Sequence, residues 1–175
     1  MLFLDICNFS DLPNWTPEEQ NAVLGRANRL VLAGATCVAT SFTPTRGLES
    51  DRRARLVGNP VRDAVRALRN SPYRAPTPER VIDLLVFGGS QGAQSFSQVI
   101  PRAILALPLQ LRSRIRLVQQ CRPENLEKVV AVYRQGGIVA ELAPFFGDLP
   151  QRLAGAHLVI GRSGASTIAE LAAVG

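Results

Sequence analysis

The strongest constraint on this chain is a pattern repeated from residue 81 to its end: a short apolar run, a turn, then apolar residues at helical spacing. Val81–Phe87 (VIDLLVF) reads as a buried strand, ended by Gly88 and Gly89. Residues 91–106 follow as a helix, with Phe96, Val99, Ile100, Ile104 and Leu105 on a shared side. Arg114–Gln119 (RIRLVQ) is the next strand and Glu124–Arg134 the next helix, closed by Gly136 and Gly137. Ile138–Leu142 is a third strand, after which Asp148 is placed to cap a short helix at 149–155. His157–Ile160 and Ala165–Ala173 form a fourth strand and helix. Successive βα units predict a parallel sheet with right-handed crossovers, hence a doubly wound α/β domain. Such sheets bind ligands beyond the carboxyl ends of their strands. The loops at 88–92, 143–148 and 161–166 are therefore expected on one rim.

Residues 1–80 read differently. Thr16-Pro17-Glu18-Glu19 is a helix start, with a capping box and proline at the first helical position, and residues 20–32 are its helix. Cys37–Phe42 and Arg55–Val57 are short strands, and Arg62–Leu68 a helix. Prolines at 72, 76 and 78 mark an exposed loop leading into the sheet. This half is too thin for a complete domain.

Composition narrows the classes of function. The formal charge is +6, carried almost wholly by arginine, since Lys128 is the single lysine. A G+C-rich genome explains such usage, and so does attraction to anionic partners. The arginines are scattered and aromatics make up 6% of the chain, which argues against a nucleic-acid platform. Cys7, Cys37 and Cys121 stand far apart and read as reduced thiols. With His157 the only histidine, neither a zinc site nor a Ser-His-Asp triad is expected, and His157 reads as structural. No apolar run is long enough to cross a bilayer.

Four motifs carry chemistry. Gly88-Gly89-Ser90-Gln91-Gly92-Ala93 lies between a strand and a helix, where free N–H groups and the helix dipole favour a phosphate. An ordinary tight βα turn uses glycine as well. Arg162-Ser163-Gly164-Ala165-Ser166-Thr167-Ile168-Ala169-Glu170 forms a second strand-to-helix junction. Glu170 there suits a ribose diol, or is simply a solvated helix residue, and the hydroxyl residues also suit caps. Gly58-Asn59-Pro60-Val61-Arg62 is a turn before a helix, its arginine within reach of a phosphate or a carbonyl. Asn21, in Glu19-Gln20-Asn21-Ala22, is a candidate for sugar hydroxyls or an exposed asparagine.

In this order and at these intervals, EQNAVLGRANR, GNPVR, GGSQGA and RSGASTIAE resemble the MurG family over residues 19–175. The resemblance implies a GT-B fold: a Rossmann-like parallel-sheet domain at 81–175 that binds the UDP-sugar, an interdomain junction at 59–80, and at 1–58 a remnant of a preceding α/β domain. It implies transfer of N-acetylglucosamine from UDP-N-acetylglucosamine to lipid I, giving lipid II for peptidoglycan. The implied donor contacts are Asn21 towards the sugar, Arg62 at the junction, and Gly88, Gly89, Ser90, Gln91 and Gly92 on the diphosphate. The Phe146 backbone is implied at the uracil edge, Ala165, Ser166, Thr167, Ile168 and Ala169 beside the nucleoside, and Glu170 on the ribose hydroxyls. Residues 1–18 depart from the family, and its first glycine-rich loop, with a histidine suspected as base, has no counterpart here.

The resemblance further implies an inverting displacement with no metal and no cofactor, and a peripheral enzyme at the cytoplasmic face of the inner membrane. Its partners are the donor, lipid I and, through the preceding domain, the membrane surface; nucleic acid is not among them. The 175-residue chain is expected to be cut short at both ends and inactive alone. Alternatives are another GT-B UDP-sugar transferase and a non-catalytic nucleotide-binding α/β fragment.

Overall fold

The computed structural model describes Leu24 and residues 29–30, 32–89 and 94–175. By contacts the chain forms two units: one runs to Val61 and includes Ser163–Ala169, the other comprises Arg62–Arg162 and Glu170–Gly175.

In the first unit two short parallel strands, β1 (Val38–Thr40) and β2 (Ala54–Leu56), pair Val38 with Ala54 and Thr40 with Leu56. Leu24, Val38 and Leu48 form its buried core, with Leu32, Ala35 and Ala54 packed against them. Arg53 ties this core together. Its guanidinium donates to the carbonyls of Leu32 and Ala35, both at 2.9 Å, while Asp51 accepts from its Nε and Nη2 at 3.0 and 2.8 Å. Arg29, Leu30 and Leu32 are helical, matching the end of the helix expected at 20–32; the capping box at 16–19 lies outside the described residues.

The second unit holds a four-stranded, wholly parallel sheet of β3 (Ile82–Phe87), β4 (Ile115–Gln120), β5 (Ala140–Ala143) and β6 (Leu158–Gly161), in the order β5-β4-β3-β6. Its helices are α1 (Asp63–Arg66), α2 (Gln94–Leu105), α3 (Leu109–Arg112), α4 (Pro123–Gln135) and α5 (Leu149–Gly155); α6 (Ala165–Val174) follows β6. The alternation of side chains along a strand divides the sheet into two faces. Leu84, Val86 and Leu117 face Ile100 and Ile104 of α2 and Val129 and Tyr133 of α4, forming the main core. The opposite face carries Asp83, Leu85, Arg116, Val118 and Glu141, which line a cavity with Arg152 and Gly155 of α5. Helices on both faces make the sheet doubly wound, as the βα alternation predicts.

The structure corrects three local expectations. Val99 is 58% exposed, because α2 buries the stripe of Ile100 and Ile104 and leaves Val99 outside it. Asp148 holds the N-cap position of α5 but makes no cap bond; its carboxylate accepts from Arg152 Nε at 2.8 Å instead. The third strand begins at Ala140, not Ile138, because Ile138 lies in the turn that closes α4. Gly137 turns left-handed there at φ +66°, its N–H donating to Arg134 and that of Ile138 to Tyr133. Those two bonds satisfy carbonyls that the helix end leaves open.

Candidate functional site

Parallel strands end on a common edge, so Phe87, Gln120, Ala143 and Gly161 share one rim of the sheet. The chain builds outward from β3 through β4 to β5, then returns to place β6 on the other side of β3. At such a reversal the segments leaving the two central strands diverge to opposite faces and open a crevice between them. Gly88 and Gly89 leave β3 at this point, and Arg162 leaves β6.

Gly89 has φ +79°, a conformation that favours glycine, while an added Cβ would meet nothing within 4 Å. The backbone therefore demands the glycine, and the space above it is open. Gly88 is buried and its N–H donates to Oε1 of Gln120 at 3.0 Å. Among the expected diphosphate contacts, Ser90, Gln91 and Gly92 lie outside the described residues, as does Asn21.

Phe146 is 7% exposed. Its ring lies under the Arg152 guanidinium, 4.5 Å from the centroid, a cation–π contact. Arg152 is itself held by both oxygens of Glu141 at 2.8 Å and by Asp148. These carboxylates push the Arg152 guanidinium further up, and Arg152 holds the Asp148 carboxyl below its ordinary value. Residues 144–146 follow Ala143, the last residue of β5, and so lie at the rim.

Arg62 and Glu170 meet in a bidentate ion pair. Nε donates to Oε1 at 2.6 Å and Nη2 to Oε2 at 2.8 Å. The glutamate side chain is 11% exposed and the arginine 51%, so the pair is anchored on the carboxylate. The hydrogen bond from Arg62 to Glu170 raises the guanidinium above its usual value. A carboxylate oxygen accepts more than one hydrogen bond, so each retains acceptor capacity in a fixed direction. On the same helix, Ala165 is buried, Thr167 and Ala169 are half-buried, and Ser166 and Ile168 are exposed. The Ile168 N–H donates to Gly164 at 3.0 Å, closing the first turn of α6.

Sequence reasoning did not single out Gln120 or Arg152. Two consecutive glutamines ending a buried strand were a usable signal, because a glutamine buried at a strand end needs partners in the rim loops. His157 is structural: its Nδ1 accepts the Asp83 backbone N–H at 2.9 Å. Among the described residues no three His, Cys, Asp or Glu side chains are grouped to hold a metal, and no helix is long and apolar enough to cross a membrane.

Comparison with known proteins agrees with this fold. The family model of the glycosyltransferase family 28 C-terminal domain matches residues 83–175. A UDP-N-acetylglucosamine–N-acetylmuramyl-(pentapeptide) pyrophosphoryl-undecaprenol N-acetylglucosamine transferase of Rhodospirillum centenum is 54% identical over 159 residues, covering 90% of this chain and 42% of that protein. The protein of the same name from a Methylobacterium species is 52% identical over 160 residues, with 90% and 43% covered. The chain thus spans less than half the length of these curated relatives. The crystal structure of Acinetobacter baumannii MurG superimposes with a TM-score of 0.62 at 25% identity, covering 87% of this chain and 40% of that one. The resemblance read from the four motifs and the expected α/β fold are both borne out. A glycine turn at the switch point of a parallel sheet, a family match over more than half of the chain and a shared MurG fold lead to one conclusion: this chain belongs to glycosyltransferase family 28, carries its C-terminal domain and is a relative of the MurG proteins.

Proposed function

We propose that this chain supplies the nucleotide-sugar-binding part of an N-acetylglucosaminyltransferase. The transferase moves the sugar from UDP-N-acetylglucosamine to undecaprenyl-diphosphate-muramyl-pentapeptide, the reaction named in its relatives. The observation that carries this reading is the opening of the Gly88-Gly89 turn at the β3–β6 reversal, where a doubly wound sheet takes its ligand. In this proposal residues 81–175 are the donor domain, 59–80 a junction and 1–58 part of a preceding domain. Gly88, Gly89, Ser90, Gln91 and Gly92 hold the diphosphate, and the Phe146 backbone meets the uracil edge. Ala165 to Ala169 lie beside the nucleoside, Glu170 accepts from the ribose diol, and Asn21 reaches the sugar. Arg62 holds the Glu170 carboxylate in its accepting orientation.

The chemistry is one inverting displacement. An acceptor hydroxyl oxygen bonds to the anomeric carbon as the bond to the UDP oxygen breaks, and a base takes the hydroxyl proton. Backbone N–H groups of the glycine turn after Gly88, whose own N–H is held by Gln120, stabilise the charge growing on the diphosphate. The whole transferase acts peripherally at the cytoplasmic face of the inner membrane, where its lipid-linked acceptor lies.

Calorimetry on the 175-residue chain tests the proposal. UDP and UDP-N-acetylglucosamine are expected to bind. Glu170→Gln should weaken UDP by about tenfold, the scale of hydrogen bonds to a charged group, while leaving inorganic pyrophosphate nearly unchanged. Absence of UDP binding overturns the reading, and tighter binding of UDP-glucose than of UDP-N-acetylglucosamine reassigns the donor.

A further inference from the structure

Gln120 ends β4, the strand between β3 and β5, and is 7% exposed. Its side-chain amide joins two loops of the rim. Oε1 accepts the backbone N–H of Gly88 at 3.0 Å, and Nε2 donates to the backbone carbonyl of Pro144, also at 3.0 Å. One side chain thus spans from the turn leaving β3 to the loop leaving β5.

The chemistry specifies the residue. A backbone N–H requires an acceptor and a carbonyl requires a donor, and a primary amide offers both in one plane. Glutamate keeps the first bond and loses the second, and methionine keeps neither. Asparagine is one methylene too short to span the gap from the same strand position. Both partners sit at points that set loop geometry. Gly88 immediately precedes left-handed Gly89, so its anchored N–H fixes where the turn begins. Pro144 precedes Phe146 by two residues, and Arg152 holds the Phe146 ring and the Asp148 carboxylate. The 144–148 loop is therefore pinned by Gln120 at one end and Arg152 at the other.

We propose that Gln120 is a positioning residue that sets the glycine turn and the 144–146 loop at a fixed separation, so that the diphosphate and the base of one nucleotide are gripped together. This rests on the reading of those two loops as the UDP site. Gln120 acts through backbone groups of Gly88 and Pro144. A ligand that touches one loop gains little from the bridge, whereas a ligand spanning both gains the ordering already in place.

The test is an NMR titration of the 175-residue chain with UDP, uridine and inorganic pyrophosphate, using the wild type, Gln120→Met and Gln120→Glu, with a thermal melt of each. Gln120→Met should weaken UDP about tenfold, as expected when two neutral hydrogen bonds that preform a site are removed. Uridine and pyrophosphate alone should each change by less than about threefold. Pyrophosphate should shift the Phe145 and Phe146 amide signals in the wild type and leave them in place in Gln120→Met. Gln120→Glu matches the native shape, so it carries the test if the methionine variant does not fold; its charge acts on any phosphate, so it should lose UDP affinity out of proportion to pyrophosphate as well as to uridine. Equal loss for all three ligands at an unchanged melting temperature, or no loss, overturns the assignment. A wild type that binds no UDP overturns the nucleotide reading itself, and this assignment with it.

Discussion

Gln119 and Gln120 are consecutive in β4 and point to opposite faces of the sheet, and their partners separate fold from site. Gln119 is fully buried against α2 and α4, accepting from the Tyr133 hydroxyl and donating to the Phe96 carbonyl at 3.4 Å. Burial raises the Tyr133 hydroxyl above its usual value, which keeps it a donor. Gln120 looks outward to the rim loops. Charged residues show a similar division: Arg62–Glu170 lies at the proposed ribose contact, whereas Arg53–Asp51 is structural. Arg53 holds the Asp51 carboxyl at about 2, down from 3.8. A carboxyl depressed in the folded state lends stability above its unfolded value and loses that contribution as pH falls through its folded value. Wild-type stability is therefore expected to fall between about pH 4 and about pH 2 more steeply than that of Asp51→Asn, as read by urea melts across that range.

At the scale of elements, helix ends account for most differences between the expected and observed boundaries. Gly136 and Gly137 both mark the stop of α4 in the sequence, yet they act differently. Gly136 retains helical geometry at φ −79°, while a Cβ there would lie 2.1 Å from the end of the Leu105 side chain. Gly137 alone is left-handed, with open space where a Cβ would go. Gly137→Ala is expected to destabilise the chain by about 1 kcal/mol through backbone strain, measurable as a lower urea midpoint with an unchanged slope. The short α5 starts at Asp148 without its cap bond, because Arg152 four residues on competes for the carboxylate and is itself needed over Phe146. A fixed loop has taken precedence there over a capped helix.

For the whole molecule, strand order decides where stability and binding reside. β3 and β4 each have a strand on both sides and contribute Leu84, Val86 and Leu117 to the core, whereas β5 and β6 lie at the edges. Amide exchange is expected to be slowest in β3 and β4 and faster in β5, β6 and the first unit, because residues that open only on global unfolding exchange last. Exchange of β5 as slow as that of β4 would show that an edge strand shares the central core. The cavity of about 460 Å³ beneath α5 is lined by Asp83, Leu85, Arg116 and Val118 and includes neither Gly88 nor Glu170, so a hollow in the sheet's face need not mark the ligand.

The sequence by itself determined the alternation of strands and helices, the parallel sheet and the glycine turn, because period and glycine content are local properties that survive in any arrangement of the elements. It also carried the family resemblance. The order β5-β4-β3-β6, which puts the turn at a switch point, was decided only in the tertiary structure. So were the meeting of Arg62 with Glu170 across 108 residues and the bridge from Gly88 through Gln120 to Pro144. Each joins groups remote in sequence, whose partners are set by packing rather than by spacing. The physical reason is satisfaction: a buried amide or carboxylate must find its partner, and the fold alone determines which one lies within reach.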